Sequence, residues 1–152
     1  MVPSPSPRWE RAAALAGLLV LVGVSTAAAG APAVAPGLYD IEVRLGLPNV
    51  LEVGPPTSLR RCLTGEEIES GQAFFVRSEN PLRACALVDH TATGTSVRYR
   101  IRCLGPNAAS AEAEFETAAA GYRGVIRMQM GGKNMTMSET HAAVRIGECP
   151  PP

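Results

Sequence analysis

Four methionines near the end of the chain have the side-chain type and spacing of a soft-metal site. They are Met128, Met130, Met135 and Met137. A hairpin closed at Gly132-Lys133 sets Met130 opposite Met135 and Met128 opposite Met137, so that all four thioethers share one face. Thioethers bind Cu(I), and His141 is a further candidate ligand. The alternative, which the sequence favours, is that the methionines fill an irregular apolar core, so we predict no metal and no other cofactor.

Other residues with catalytic chemistry are few and scattered. The chain has two histidines, His90 and His141, and neither has a nucleophile at a recognisable spacing. We interpret His90 as an exposed residue of a strand. The G-x-S-x-G and H-E-x-x-H motifs are absent, and the acidic side chains of the predicted sheet face arginines rather than one another. We therefore predict no catalytic residue and a protein that is not an enzyme.

The N-terminus has the features of a cleavable secretory signal. Arg8 and Arg11 precede the apolar run Ala12–Val24, and Ala27-Ala28-Ala29 ends the segment with an A-x-A pattern. A membrane span needs about 20 apolar residues, and this run is shorter. We therefore expect residues 1–29 to be removed on export, and we predict no membrane span in what remains.

The part after residue 29 has the composition of a small extracytoplasmic domain. Removing Arg8, Arg11 and Glu10 with the signal leaves 12 basic and 13 acidic side chains, a net charge of −1, which gives no electrostatic footprint for nucleic acid. All four cysteines remain: Cys62, Cys85, Cys103 and Cys149. In an exported chain an even number of cysteines predicts disulfides, which a domain this small often needs for stability.

Alternating apolar and polar residues predict an antiparallel sheet after a flexible lead-in at residues 30–36. The clearest predicted strands are Leu38–Leu47, Thr57–Leu63, Thr95–Cys103, Ala111–Thr117, Tyr122–Met130 and a last one from residue 134 to residue 147. Thr64 and Glu67 have capping-box spacing and predict a short helical turn. Residues 70–84 read as a connecting loop with Phe74, Phe75 and Val76 beneath the sheet.

The charged positions of neighbouring strands suggest their register. A hairpin centred on Asn107 places Arg100 opposite Glu114, with neighbouring arginines and glutamates paired in the same way, and Tyr99 beside Phe115. In the following hairpin Arg123 faces Glu116. In the last strand the apolar positions change parity between Met137 and Val144, which predicts a bulge near Glu139–His141.

Register also predicts the disulfides. A hairpin centred on Gly94 sets Cys85 opposite Cys103, Leu87 opposite Ile101, and Thr91 opposite Val97. By elimination, and because strand parity puts Cys149 at the other end of the sheet, Cys62 then pairs with Cys149. The rival connectivity is Cys62–Cys85 with Cys103–Cys149.

Several of these segments together resemble a known family of exported bacterial proteins. They are Pro36-Gly37-Leu38-Tyr39, Arg61-Cys62-Leu63-Thr64, the hairpin between Cys85 and Cys103, the Met128–Met130 strand and Arg145-Ile146-Gly147-Glu148-Cys149. Over residues 36–149 the chain is similar to the family called domain of unknown function 3617. Tyr39 and Glu148 depart mildly from it, because its members more often carry Trp and Asp there. The resemblance implies a signal peptide, four matched cysteines and an envelope location, and it implies no activity.

The sequence thus predicts one all-β domain at residues 37–149. We expect a single antiparallel meander of about six or seven strands, strongly curled like a half-barrel, with one short helix and two disulfides. Such a curl with few aromatic residues leaves room for a ligand, so the leading hypothesis is a non-catalytic binding module for an apolar small molecule or lipid. The alternatives are a copper-binding protein and a structural envelope protein that binds a partner protein.

Overall fold

The structure is a computed structural model that describes residues 30–50, 54–105, 108–131 and 135–151. The predicted signal at residues 1–29 and the predicted turn residues Asn107, Gly132 and Lys133 lie outside these ranges. Within them, no helix has the length and apolar character needed to cross a bilayer.

The described residues form one sheet of seven antiparallel strands. The strands are β1 (Gly37–Gly46), β2 (Thr57–Leu63), β3 (Ala86–Ala92), β4 (Ser96–Arg102), β5 (Ser110–Ala118), β6 (Gly121–Met130) and β7 (Met135–Gly147). Their order across the sheet is β2-β1-β7-β6-β5-β4-β3, so that β3 to β7 run as a meander and the β1–β2 hairpin joins through β1 beside β7. With one short α-helix and two disulfides, this confirms the predicted all-β class.

The sheet buries one face, here called the inner face, because alternating residues of each strand point to the same side. Alternation also predicts Leu87 and Met130 on this face, where they are only partly covered, and the predicted inner residues that are buried are Ile41, Val43, Tyr99, Ile101, Phe115, Ile126 and Met128. Tyr39 on β1 and Tyr122 on β6 bring their ring centroids within 6.3 Å, although β7 lies between their strands. This contact is consistent with a sheet that curls towards its inner face.

Two of the predicted registers are confirmed. In β5–β6, Glu112 lies opposite Arg127 and Glu116 opposite Arg123. Arg123 Nε donates to Glu116 Oε2 at 2.8 Å on the exposed outer face. In β6–β7, Met128 pairs with Met137 and Met130 with Met135.

The predicted register of β4–β5 is wrong by two residues. Arg100 lies opposite Glu112 rather than Glu114, and Tyr99 lies opposite Ala113 rather than Phe115. A shift of two residues returns every side chain to the same face, so the charge pattern alone does not distinguish the two registers. In the observed register a large ring stands opposite a small side chain, which packs the inner face without placing two rings directly opposite each other.

The β3–β4 hairpin follows the predicted register only at its Cys85 end. Leu87 lies opposite Ile101 as predicted, but after Val88 the register shifts by one residue, so that Thr91 lies opposite Arg98 instead of Val97. The irregularity falls at Asp89, whose φ of 53° is left-handed. Because of it the next side chain, His90, is half-buried against Gly71 rather than exposed.

The bulge predicted near Glu139–His141 is absent from the β6–β7 pairing. The register is continuous from Gly121 opposite Val144 to Met130 opposite Met135. Glu139 and His141 therefore remain on the inner face, whereas Val144 points outward and is 60% exposed. The prediction was wrong because it assumed that buried positions must be apolar.

Residues 64–85, here called the covering segment, pack across the inner face. A capping box at Thr64 and Glu67 starts the helix α1 (Gly65–Glu69), as predicted, and two 3₁₀ turns follow at Gln72–Phe74 and Pro81–Ala84. Phe74, Phe75 and Val76 are buried, and the Tyr99 hydroxyl donates to the Phe74 carbonyl at 2.7 Å. The inner face is therefore largely filled from within the chain.

The lead-in at residues 30–36, expected to be flexible, also packs on the domain. Val34 is part of the buried core, and the backbone N–H of Ala33 donates to the Gly94 carbonyl at 3.0 Å. The Tyr39 hydroxyl donates to the Ala35 carbonyl at 2.6 Å. These bonds extend the ordered domain towards its N-terminus.

The two disulfides join Cys62 to Cys149 and Cys85 to Cys103, with Cα atoms 5.5 and 4.7 Å apart. This is the pairing that strand register suggests, and the rival Cys62–Cys85 bond does not form in this structure. The two bonds bracket the covering segment, because Cys62 precedes it and Cys85 is its last residue.

Proteolysis of the unreduced protein followed by mass mapping should recover peptides that link Cys62 to Cys149 and Cys85 to Cys103. The Cys62–Cys149 bond closes a loop of 87 residues. Replacing both of its cysteines by alanine should therefore lower the free energy of unfolding by about 4–5 kcal/mol on the chain-entropy model. A peptide that links Cys62 to Cys85 would contradict the strand order as well as the pairing.

Candidate functional site

A cavity of about 450 Å³ lies between the β1–β2 hairpin and the covering segment. Alternation on β1 turns Ile41 and Val43 into it, and the antiparallel register adds Leu59 and Thr57 of β2 directly opposite them. The covering segment contributes Ala73, Phe75 and Val76, and the sheet contributes Tyr122 and His141. Binding sites for small molecules occupy about 300–1,000 Å³, so the cavity has the size of a ligand site, and its interior is apolar.

A buried glutamate and a buried histidine lie next to each other on the side of the cavity formed by the sheet. Glu139 is 0% exposed and His141 is 3% exposed, two residues apart on the inner face of β7. His141 Nε2 and Glu139 Oε2 are 3.0 Å apart. A carboxylate only accepts hydrogen bonds, so Nε2 is the donor in this contact. His141 lines the cavity directly. Glu139 does not line it, but its hydrogen bond orients the His141 ring.

Glu139 also binds the covering segment. The Asn80 Nδ2 group donates to Glu139 Oε1 at 2.6 Å, and the backbone N–H of Arg77 donates to Oε2 at 3.2 Å. Burial opposes ionisation of this carboxyl group, but the hydrogen bonds from His141, Asn80 and Arg77 outweigh burial and hold the pKa of Glu139 below its ordinary value. The ionised carboxylate is thus a structural anchor for one wall of the cavity.

Three arginines line the outer part of the cavity: Arg61, Arg77 and Arg83. Arg77 Nη1 donates to the Thr57 hydroxyl at 3.3 Å, and its Nε lies 3.9 Å from Glu139 Oε1. That Nε atom is buried and has no hydrogen-bond partner among the residues that the structure describes. The cavity therefore combines an apolar, buried interior with a cationic rim.

The four methionines come together in pairs as predicted, but outside this cavity. Met128 is 2% exposed and Met135 is 45% exposed, so the environment of the thioethers varies from core to surface. Met128 Sδ accepts a hydrogen bond from Asn80 Nδ2 at 3.2 Å. His141 does not join the methionines, because it binds Glu139 and lies four residues, or about 13 Å, along the strand from Met137.

A larger depression of about 620 Å³ lies mainly on the outer face, where Gly46–Pro48 approach β5, β6 and β7. Its outward residues include Glu112, Arg127, Thr136 and Ser138, which are polar. We place the candidate site in the smaller cavity because it joins an apolar interior to a buried polar pair.

Sequence reasoning missed Glu139, Asn80 and the arginine rim. The parity of β7 contained the signal for Glu139, because Met137, Glu139, His141 and Ala143 occupy successive inward positions. Asn80 and the arginines of the rim lie on the covering segment or on an edge strand. No periodicity of the sequence indicates which of their side chains come into contact.

Comparison with known proteins gives one match. A family described as a protein of unknown function (DUF3617) matches residues 34–149. No curated protein and no solved structure shows a significant similarity. The match confirms the resemblance found in the sequence and brings no activity with it.

Glu139→Gln should lower the free energy of unfolding at pH 7 by about 2–4 kcal/mol, because hydrogen bonds to a buried charge are lost. The folded-state pKa of Glu139 lies below its unfolded value, which is about 4.3. The stability that ionised Glu139 contributes is therefore fully present above its unfolded pKa. It is lost as the pH falls through the folded-state pKa. Urea unfolding between about pH 7 and pH 3 should show the difference between wild type and variant shrinking.

Glu114→Gln is the matched control, since Glu114 lies on the exposed outer face and binds Arg98. A surface ion pair contributes about 0–1 kcal/mol, so this variant should change stability little. A Glu139→Gln effect no larger than the control would contradict the anchoring role.

Met128→Ala should lower the free energy of unfolding by about 2–4 kcal/mol, because it removes a buried side chain and leaves a cavity. Met135→Ala, at an exposed position, should change it by no more than about 0.5 kcal/mol. Neither change should alter the metal content of protein purified from cells. Stoichiometric copper that is lost in both variants would show that the methionines are ligands rather than core.

Proposed function

For this chain, which belongs to the DUF3617 family, we propose a non-catalytic binding module for an apolar small molecule or lipid. We place its action after export, in a bacterial periplasm. The signal-like residues 1–29 and the two disulfides support that location, because structural disulfides persist in oxidising compartments.

The single observation that carries the proposal is the cavity of about 450 Å³ behind the covering segment. Its interior side chains, among them Ile41, Val43 and Phe75, are 3–5% exposed and contribute only apolar atoms. An apolar molecule placed there would remove its own surface from water, which is favourable by about 25 cal/mol per Å². The site is also bounded by two disulfide-anchored elements, which favours a preformed cavity.

The hydroxyl groups that line the cavity support a non-catalytic role. The Thr57 hydroxyl accepts from Arg77, the Ser78 hydroxyl donates to Glu79, and the Tyr122 hydroxyl donates to the Ala73 carbonyl at 3.2 Å. Burial raises the pKa of Tyr122, so its phenol stays protonated. A histidine base needs a nucleophile within hydrogen-bond reach, and each of these hydroxyls has a different partner.

Native mass spectrometry of the full chain expressed with its own signal and purified from the periplasm of a Gram-negative host tests this proposal. We expect a chain that begins at Gly30, keeps two disulfides and carries an apolar molecule that organic solvent extracts. Bound copper in place of an apolar molecule would favour the alternative at the methionines. Ligand-free protein in repeated preparations, with no uptake of added lipid, would overturn the proposal.

Leu59→Trp is a variant that should fill the cavity, because Leu59 is half-buried on the edge strand β2 and its side chain lines the cavity. It should abolish or strongly reduce the amount of bound molecule. Val144→Trp adds the same ring on the exposed outer face and is the matched control. Thermal unfolding of both variants verifies that they fold, and equal ligand content in the two would contradict a site in this cavity.

A further inference from the structure

The charges around the cavity are unequal. Arg61, Arg77 and Arg83 line it, and Glu79 is the one carboxylate among the described lining residues. The apolar lining is buried, whereas the Arg61 side chain is 33% exposed and Arg83 is exposed. The cavity is therefore amphipathic, with an apolar interior and cations where it meets solvent.

Two of the three arginines already have structural partners. Arg61 forms an ion pair with Glu67, the residue that completes the capping box of α1. Arg77 donates to Thr57 and lies near Glu139, as described above. Within the described part of the chain, the buried Nε of Arg77 nevertheless has no acceptor, which leaves a hydrogen-bond donor unsatisfied at this side of the cavity.

Arg83 differs because it forms no ion pair with any residue that the structure describes. Its guanidinium carbon lies 5.2 Å from the centre of the Phe75 ring, and Nη1 donates to Gln72 Oε1 at 3.2 Å. These contacts orient the guanidinium, and no carboxylate of the described residues pairs with its charge. Phe75 itself lines the cavity, so the cation is held directly beside the apolar interior.

We propose that the ligand is a single-chain amphiphile whose anionic head group binds Arg83 and Arg77 while its alkyl chain occupies the interior beside Ile41, Val43 and Val76. This inference rests on the proposed function and adds the chemistry of the head group. A guanidinium presents a planar fork of donors that matches a carboxylate or a phosphate, the two head groups that this rim accepts. The Phe75 ring restricts the guanidinium, so less side-chain freedom is lost on binding.

The test is isothermal titration calorimetry of the mature, disulfide-bonded protein with four probes of equal chain length. They are dodecanoate, monododecyl phosphate and dodecyltrimethylammonium, each below its micellar concentration, and dodecanol below its solubility limit. We expect at least one anionic probe to bind about tenfold more tightly than dodecanol, as one charge-assisted hydrogen bond would give. A higher salt concentration should weaken binding of the anionic probe and leave the affinity for dodecanol unchanged. The anion that binds more tightly identifies the head group.

Arg83→Gln removes the charge and keeps a polar side chain. The variant should lower the affinity for the anionic probe about tenfold and leave the affinity for dodecanol unchanged. Arg123→Gln is the control, because Arg123 is exposed on the outer face and binds Glu116. Thermal unfolding verifies that both variants fold.

The outcomes separate the head-group inference from the proposed function. Equal affinity for dodecanol and both anions, with no effect of Arg83→Gln, would contradict the inference of an anionic head group. The proposal of an apolar binding site would be retained. Tighter binding of the cationic probe would overturn it as well. If none of the four probes binds, the proposed function fails, and the head group fails with it.

Discussion

The buried carboxylate of Glu139 is the constraint on which the architecture around the cavity depends. An ionised group inside a protein is costly unless it is fully hydrogen-bonded, and here the donors are His141 of its own strand together with Asn80 and the Arg77 backbone of the covering segment. Moving the covering segment away would remove the Asn80 and Arg77 donors from this carboxylate and leave it with His141 of its own strand. The wall of the cavity is therefore held by electrostatics as well as by apolar packing.

The disulfides and the core tyrosines reinforce the same attachment. Cys62–Cys149 and Cys85–Cys103 tie the chain down immediately before the covering segment and at its last residue. Between them, the Tyr99 and Tyr122 hydroxyls donate to the Phe74 and Ala73 carbonyls. A segment with little regular structure of its own is thus fixed by covalent bonds at both ends and by buried hydrogen bonds in the middle.

The limits of prediction from sequence follow from the same physics. Period-two alternation is a local property, and it indicated the strands and their inner faces except at His90 of β3 and in the C-terminal part of β7, where Val144 points outward. The β4–β5 register depends on which ring packs against which small side chain, and the repeated arginines and glutamates fit either register equally well. Glu139 occupies an inward position of β7, but its burial depends on Asn80 and Arg77, about 60 residues earlier, and a local pattern carries no information about such distant partners.

The distribution of aromatic side chains explains why the cavity lies at one side of the sheet. Phe74 packs against Phe115 and Tyr122, with ring centroids 5.5 and 4.8 Å apart, and this cluster fills the middle of the inner face. The β1–β2 side carries shorter side chains such as Val43 and Thr57, which leave space beside the covering segment although Arg77 of that segment reaches the Thr57 hydroxyl. Because β2 is an edge strand with a single hydrogen-bonded neighbour, it is the boundary of the cavity that can shift with least loss of sheet structure. The space for a ligand therefore lies where the fold is least constrained, whereas the Glu139 network holds the opposite wall in place.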